Sequence, residues 1–131
     1  MPEQRSATKP RFTVEHWAEF WADPLNAQDG QSLLAQDIVG YWPGESEPVR
    51  GLQNYYAKIT KLLAAIPDLR LAVVDSATTG DLIFIHYVAR GTGPSGPFEV
   101  HGIDRLVLRD GIVVENLIRY DTGAVSQVLA R

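Results

Sequence analysis

Apolar positions in the first part of the chain recur with the 3.6-residue period of an amphipathic helix. A first helix is predicted to begin after the N-cap residue Thr13 and to end at Asp23-Pro24. Its apolar face consists of Val14, Trp17, Phe20 and Trp21. Residues 1–11 alternate charge and polarity and are expected to form a flexible lead to one domain over residues 12–131.

The middle of the chain carries a second and stronger helical period. Apolar side chains recur over four turns from Leu52 to Ile66, and Pro67 ends the helix. Between the two helices, residues 31–36 indicate a short helical stretch. A β-like run from Ile38 to Trp42 follows and ends at Pro43-Gly44.

After Pro67 the period changes from helical to alternating or continuously apolar. Strands are predicted at 69–75, 82–90, 98–109 and 112–121, with a flexible connection at 91–97. The last residues, around Val125 to Leu129, are expected either to form a short helix or to fray. Helices followed by hairpin-connected strands predict an α+β fold, in which a curved antiparallel sheet packs on the helices.

The turn Arg109-Asp110-Gly111 decides which side chains of the last hairpin share a face. A two-residue turn would mix charged and apolar residues on both faces. A three-residue turn pairs Leu108 with Ile112 and puts most of the charged residues on one face and the apolar residues on the other. We therefore predict the three-residue turn, which sets Asp104 opposite Asn116 on an otherwise apolar face.

A carboxylate on an apolar face is costly to bury unless it is paired or hydrated. One explanation is structural, with Asp104 capping a backbone group or meeting a buried partner such as Arg90 or Tyr56. The other is functional, with Asp104 and Asn116 as the polar contacts of a cavity floor.

Composition and charge narrow the classes of function. The 131 residues contain no cysteine, which excludes disulfides and thiolate chemistry. Sixteen acidic against twelve basic residues leave a net charge of −4, which disfavours nucleic acid as a partner. No segment has the length and apolarity of a membrane span or a signal-peptide core, so no membrane partner is expected and the default location is cytoplasmic.

Four segments resemble the SnoaL-like branch of the NTF2-like superfamily. They are YWPGESEPVRG at 41–51, ARGTG at 89–93, GIDRLVLRDGIVVEN at 102–116 and RYD at 119–121. The resemblance covers about Phe12 to Asp121 and implies a cone, in which a strongly curved sheet wraps against three N-terminal helices around a pocket. It also implies a homodimer, but it leaves the activity open because this superfamily holds several kinds of enzyme and binding protein.

The resemblance transfers catalytic residues only in part. Asp104 matches the protonated Asp of ketosteroid isomerases, but Trp42 stands at the position of their general base and Trp17 near that of their oxyanion Tyr. In polyketide cyclases a His matches Asp104, and the acid/base Asp aligns with Ile118. The Asp of limonene epoxide hydrolases also falls near Ile118, so the chain departs from three known catalytic patterns.

Aromatic side chains are expected to complete an apolar pocket for a lipophilic or aromatic small molecule. The candidates are Trp17, Trp21, Trp42, Tyr55, Tyr56 and Tyr120, although aromatics at helical spacing also suit an ordinary core. His86 lies in a strand where both faces are apolar, so it points either inward, as a base acting with Asp104, or outward. The three scattered histidines give little support for a metal site, and no cofactor is expected.

The outer sheet face is predicted to be half apolar, with Arg105, Arg109, Glu115 and Arg119 interleaved among Ile103, Val107 and Leu117. A homodimer packed sheet to sheet would cover it.

We therefore predict a small-molecule enzyme of the isomerase, cyclase or dehydratase kind. Asp104 and His86 are its catalytic candidates, and Asn116 and the six aromatics are its substrate-binding candidates. The alternative is a module of the same superfamily that binds a hydrophobic ligand or dimerises without catalysis.

Overall fold

The computed structural model describes residues 10–27 and 33–129. Its elements are α1 (Val14–Ala22), β1 (Leu34–Tyr41), β2 (Val49–Arg50), α2 (Leu52–Ala65), β3 (Arg70–Thr79), β4 (Leu82–Gly93), β5 (Gly96–Arg109), β6 (Ile112–Tyr120) and α3 (Thr122–Leu129). The α+β class and both long helices are as the sequence predicts. Most of the predicted flexible lead, residues 1–9, lies outside the described residues, but Arg11 bonds to the Gly80 carbonyl at 2.6 Å.

The described strands form one mixed sheet in the order β2-β1-β6-β5-β4-β3. Neighbouring strands are antiparallel except β1 and β6, which run parallel. The three long hairpin-linked strands β4, β5 and β6 form its centre, and α1 and α2 pack with the core on one face. No helix among the described residues packs on the other face of the sheet.

The prediction of a helix at residues 31–36 is wrong for the residues of this segment that the structure describes. Residues 31 and 32 lie outside the described residues, but from Leu34 onward the chain is strand β1, and Leu34 pairs with Val113. Pairing with β6 and complete burial of Ile38 outweigh the weak local helical preference of this segment.

The three-residue turn predicted between β5 and β6 is also wrong. Arg109 pairs with Ile112, and Asp110 and Gly111 form a two-residue turn with φ of 56° and 82°. A β-bulge follows, because Leu108 pairs with Val113 but Val107 with Glu115. Val113 is consequently the fully buried residue near the turn, whereas a three-residue turn would put Val114 on the buried face.

The bulge restores the predicted faces farther from the turn. Asp104 pairs with Ile118 and Leu106 with Asn116, so Asp104 and Asn116 are diagonal neighbours rather than directly opposite. Both nevertheless lie on the buried face, at 6% and 3% exposure, and they are the buried polar side chains of the described core.

Two segments, the β4–β5 connection and the C-terminal residues, are more regular than the sequence predicts. The glycine-rich segment predicted as a flexible connection continues β4 and β5 as far as the pair Gly93 and Gly96. Of the two possibilities for the C-terminal residues, the structure shows the helix, α3. Asp121 begins it by accepting a hydrogen bond from the Ala124 amide at 3.1 Å.

Candidate functional site

A cavity opens between α1, α2 and the buried face of the sheet. Including its mouth, it encloses about 800 Å³. Asp104 and Asn116 of the central strands lie on its floor, and all six aromatic candidates line it: Trp17, Trp21, Trp42, Tyr55, Tyr56 and Tyr120. The structure therefore brings together every predicted site residue except His86.

The helix α1 is fixed where it carries two of these aromatics. Thr13 and His16 form a capping box, in which the Thr13 hydroxyl accepts from the His16 amide and His16 Nδ1 accepts from the Thr13 amide. The His16 ring stacks on the buried Phe12 at a centroid distance of 5.8 Å. Trp17 is thereby held over the sheet, with its ring 5.5 Å from that of Tyr87.

Asp104 is held by two donors from different elements. The Trp17 indole nitrogen donates to Asp104 Oδ2 at 3.1 Å, and Asn116 Nδ2 donates to the same oxygen at 3.3 Å. The structural explanation named Arg90 or Tyr56 as a buried partner of Asp104, but its described hydrogen bonds come from Trp17 and Asn116 instead. Arg90 pairs with the exposed Glu99. Both described bonds end on Oδ2, so Oδ1 retains acceptor capacity for a ligand.

Burial raises the pKa of Asp104 to about 6, although its hydrogen bonds with Trp17 and Asn116 favour the charged form. The group is therefore ionised above pH 6 and protonated below it. A carboxylate with a pKa near neutrality can both take and return a proton under physiological conditions.

Asn116 connects this carboxylate to a phenol. Its Nδ2 also donates to the Tyr55 hydroxyl at 2.9 Å, which leaves the hydroxyl hydrogen of Tyr55 available to a ligand. The Asn116 Oδ1 atom is buried with no hydrogen-bond partner among the described residues. An acceptor left without a partner in the core costs stability.

Four tyrosines around the site remain protonated. Burial is the main cause, raising the pKa of Tyr56 to about 12 and those of Tyr55, Tyr87 and Tyr120 above the ordinary range. The negative charge of Asp104 raises the pKa of Tyr55, Tyr87 and Tyr120 further. The site thus combines one ionisable carboxylate with several neutral hydrogen-bond donors.

His86 does not line this cavity, so the alternative in which it points inward as a base is wrong. Ile85 and Tyr87 point into the core, and His86 between them lies on the outer face of the sheet. There its Nε2 lies 2.9 Å from His101 Nδ1, and its Nδ1 lies 3.4 Å from an Asp75 carboxylate oxygen. The sheet separates it from Asp104, so it cannot act on the same ligand.

Sequence reasoning missed three polar residues of the cavity lining. Tyr87 lines it because its neighbour across the strand pair is Gly102, where an added Cβ would lie 2.3 Å from the Tyr87 hydroxyl. Lys58 and His16 also line it, and the Lys58 ammonium lies 5.4 Å from the Trp42 ring centroid and pairs with Glu45. The glycine in the GID segment was the available signal for Tyr87, because it leaves room for a large residue opposite.

Neither a metal site nor a membrane-spanning helix is found where the structure is described. No group of three or more His, Asp or Glu side chains in residues 10–27 and 33–129 is arranged to hold a metal ion. No helix within those ranges is long and apolar enough to cross a bilayer.

A curved mixed sheet that encloses a cavity with helices on one face defines the NTF2-like class of α+β proteins. Within that class, the family model described as a SnoaL-like domain matches residues 14–116. The chain belongs to the SnoaL-like family. Comparison with curated protein sequences finds no significant match.

Solved structures share this fold. A protein from Jannaschia sp. CCS1, provisionally assigned as a SnoaL-like polyketide cyclase, is 22% identical with a TM-score of 0.76, over 88% of this chain and 90% of that one. IdmH from Streptomyces antibioticus, provisionally assigned as a polyketide cyclase, is 26% identical with a TM-score of 0.73, over 95% and 97%. A Catenulispora acidiphila protein with a ketosteroid isomerase-like fold, solved with trimethylamine, is 20% identical with a TM-score of 0.74, over 89% and 92%.

Proposed function

We propose that this protein is a small-molecule enzyme of the isomerase, cyclase or dehydratase kind, in which Asp104 removes a proton next to a carbonyl group of a lipophilic or aromatic substrate. The observation that carries the proposal is the buried Asp104 carboxylate, with its pKa of about 6, on the floor of an aromatic cavity. The similarity to IdmH, provisionally assigned as a polyketide cyclase, supports the same class of chemistry.

The reaction begins with the carboxylate of Asp104 as the base. Asp104 Oδ1 takes the proton from the carbon, and the electron pair of the broken C–H bond moves onto the carbonyl oxygen to give an enolate. The Tyr55 hydroxyl, positioned by Asn116, donates a hydrogen bond to that oxygen. The apolar aromatic walls exclude water and so strengthen this interaction.

The protonated Asp104 then determines the product class. Return of the proton to a different carbon would isomerise the substrate. Attack of the enolate carbon on a second carbonyl would close a ring, with the proton of Asp104 passing to the oxygen of that carbonyl. Loss of a neighbouring hydroxyl, protonated by Asp104, would dehydrate it. All three outcomes need the same first step, which can be tested without knowing the natural substrate.

The test uses 2-tetralone, a cyclic ketone fused to a benzene ring, with exchangeable protons on both carbons next to its carbonyl. Incorporation of solvent deuterium is followed by NMR with the wild-type protein, Asp104→Asn and His86→Gln. We expect Asp104→Asn to slow the protein-catalysed exchange by about 100-fold or more, and the outer-face variant His86→Gln to leave it unchanged. Equal exchange in the wild type and Asp104→Asn contradicts the proposal.

A second function, binding without turnover, is favoured by one observation. Asp104 is the single carboxylate among the described residues that line the cavity, so acid and base steps cannot be divided between two carboxyl groups. Native mass spectrometry of freshly purified protein, followed by incubation of any co-purified molecule, distinguishes the two functions. An unchanged bound molecule supports binding, whereas conversion that Asp104→Asn abolishes supports catalysis.

A further inference from the structure

A second cavity lies beside the candidate site, under α3. It encloses about 560 Å³ including its mouth, and we call it the annex. The residues that line the annex alone come from the segment between α2 and β3, from β4 and β5, and from α3, and all of them are apolar. They include Ile66, Leu69, Phe98, Val100, Val125 and Val128.

The annex and the site cavity share one wall. Trp42, Leu62, Leu71, Tyr87 and Tyr120 line both. Two of these, Tyr87 and Tyr120, are phenols that pair with Gly102 from either side of β5, two residues from Asp104, so the polar groups of the wall lie near the carboxylate. A ligand oxygen held at this wall would therefore have an aromatic chamber on one side and a purely apolar one on the other.

The walls of the annex are fixed by close backbone contacts. An added Cβ at Gly91 would lie 2.8 Å from Ile66, and one at Gly93 would lie 2.5 Å from the Val128 carbonyl oxygen. Asp68 also accepts hydrogen bonds from the Thr92 amide and hydroxyl, at 2.9 and 2.8 Å. These contacts hold the segment after α2 and the helix α3 against β4.

We infer that the annex binds a second apolar portion of the substrate, so that the substrate is a ketone flanked on both sides by apolar groups. One group, a ring system, occupies the aromatic site cavity, and the other, a chain or ring, lies under α3. This inference rests on the proposed function for the position of the carbonyl group. It makes α3, at the end of the chain, a determinant of substrate specificity.

The experiment compares two ketones that differ only in the length of one side. These are 2-acetonaphthone and 1-(2-naphthyl)heptan-1-one, and their binding to the full chain is measured by titration calorimetry. Because the longer ketone adds five methylene groups to be buried, we expect it to bind about 30-fold or more tightly than the shorter one. Val125→Phe, which fills the annex from α3, should reduce this ratio to less than about threefold.

Two further variants separate filling of the annex from disturbance of the fold. Ala89→Leu fills the annex from β4 and should reduce the ratio in the same way, which keeps the test valid if Val125→Phe folds poorly. Ser126→Phe, at an exposed position of the same helix, should leave the ratio as in the wild type.

The outcomes distinguish this inference from the proposed function. Equal affinities for the two ketones in the wild type, or equal losses for both in Val125→Phe and Ala89→Leu, overturn the annex as a substrate site. Deuterium exchange next to the carbonyl is measured on the same samples. A preference for the longer ketone without any Asp104-dependent exchange supports the annex as a ligand site and removes the catalytic proposal.

Discussion

The Trp17 indole nitrogen donates a hydrogen bond of 3.1 Å to Asp104 Oδ2, although the two residues are 87 positions apart in the chain. This bond connects α1 to the central strand β5, and it ends on the one buried carboxylate among the residues that the structure describes. A donor that holds a buried carboxylate also sets its proton affinity, because it stabilises the charged form.

Trp17→Phe removes this donor but keeps an aromatic ring. We expect the pKa of Asp104 to rise from about 6 to roughly 7, since a hydrogen bond to a charged group contributes on the order of 1.5 kcal/mol. The measurement is an NMR titration of the Asp104 carboxyl carbon. Trp21→Phe is the matched control, because Trp21 lines the same cavity but forms no described bond to Asp104. An unchanged pKa in Trp17→Phe would show that the bond is not formed in solution.

The buried carboxylate should also destabilise the folded protein at neutral pH. The pKa of Asp104 is about 6 in the fold and 3.8 in its absence, so between these values the folded state holds a proton that the unfolded state releases. The stabilisation that the folded state gains by holding this proton on Asp104 is therefore fully present below pH 4, and it is lost as the pH rises through 6.

Asp104→Asn isolates this effect, because the other titrating groups are common to both proteins. We expect the free energy of unfolding of the variant, relative to wild type, to increase by about 2–3 kcal/mol between pH 4 and pH 7. Urea unfolding at intervals of one pH unit measures it. A difference that does not change with pH would mean that the pKa of Asp104 is not raised.

Much of the fold could be predicted because its signals are local. The apolar period from Leu52 to Ile66 and the alternation of β5 identify the helix and the buried face without knowledge of tertiary contacts. The inward position of Asp104 follows from that alternation. The prediction that Asp104 and Asn116 share a face is correct, although it was made from a wrong turn. The bulge near Val114 adds one residue to β6, so the residues beyond it again point to the predicted faces.

The remaining errors arise where only tertiary contacts decide the structure. Leu34 becomes strand because β6 provides a parallel partner far away in sequence. The strand around His86 is apolar on both faces, so its period could not tell which side faces the helices. Tyr87 was missed for the same reason. Whether His86 or Tyr87 points inward depends on the space over Gly102, which the Tyr87 side chain fills.

Gly102→Ala tests that space. Its added methyl group would lie 2.3 Å from the Tyr87 hydroxyl, so the ring must move and we expect a loss of about 1–3 kcal/mol of stability. Combining it with Tyr87→Leu should recover part of the loss, with a coupling energy above about 1 kcal/mol in a double-mutant cycle of urea unfolding. Strictly additive effects would show that the two positions do not meet.

The last prediction concerns the outer sheet face, where we propose that two copies of the chain pack together. Val74, Phe84 and Ile103 are large apolar side chains on this sheet and are 48%, 40% and 47% exposed. The Arg105–Glu115 ion pair lies among them and is formed diagonally, since Glu115 is paired with Val107 rather than Arg105. An exposed apolar surface of this kind marks an interaction site, and a second copy would cover it.

Val107→Glu places a charge on this face, opposite Leu82 and Glu115, without touching the cavity, because residue 107 points away from Leu106 and Leu108. Burying the charge unpaired in an interface would cost several kcal/mol, so we expect a shift from dimer to monomer in light scattering. Thr60→Glu is the control for added negative charge, because Thr60 is exposed on α2, on the other side of the sheet, and this variant should leave the dimer intact. Deuterium exchange with 2-tetralone should persist in the Val107→Glu monomer, since all described contacts of Asp104 lie within one chain. A Val107→Glu protein that stays a fully stable dimer would place the interface elsewhere.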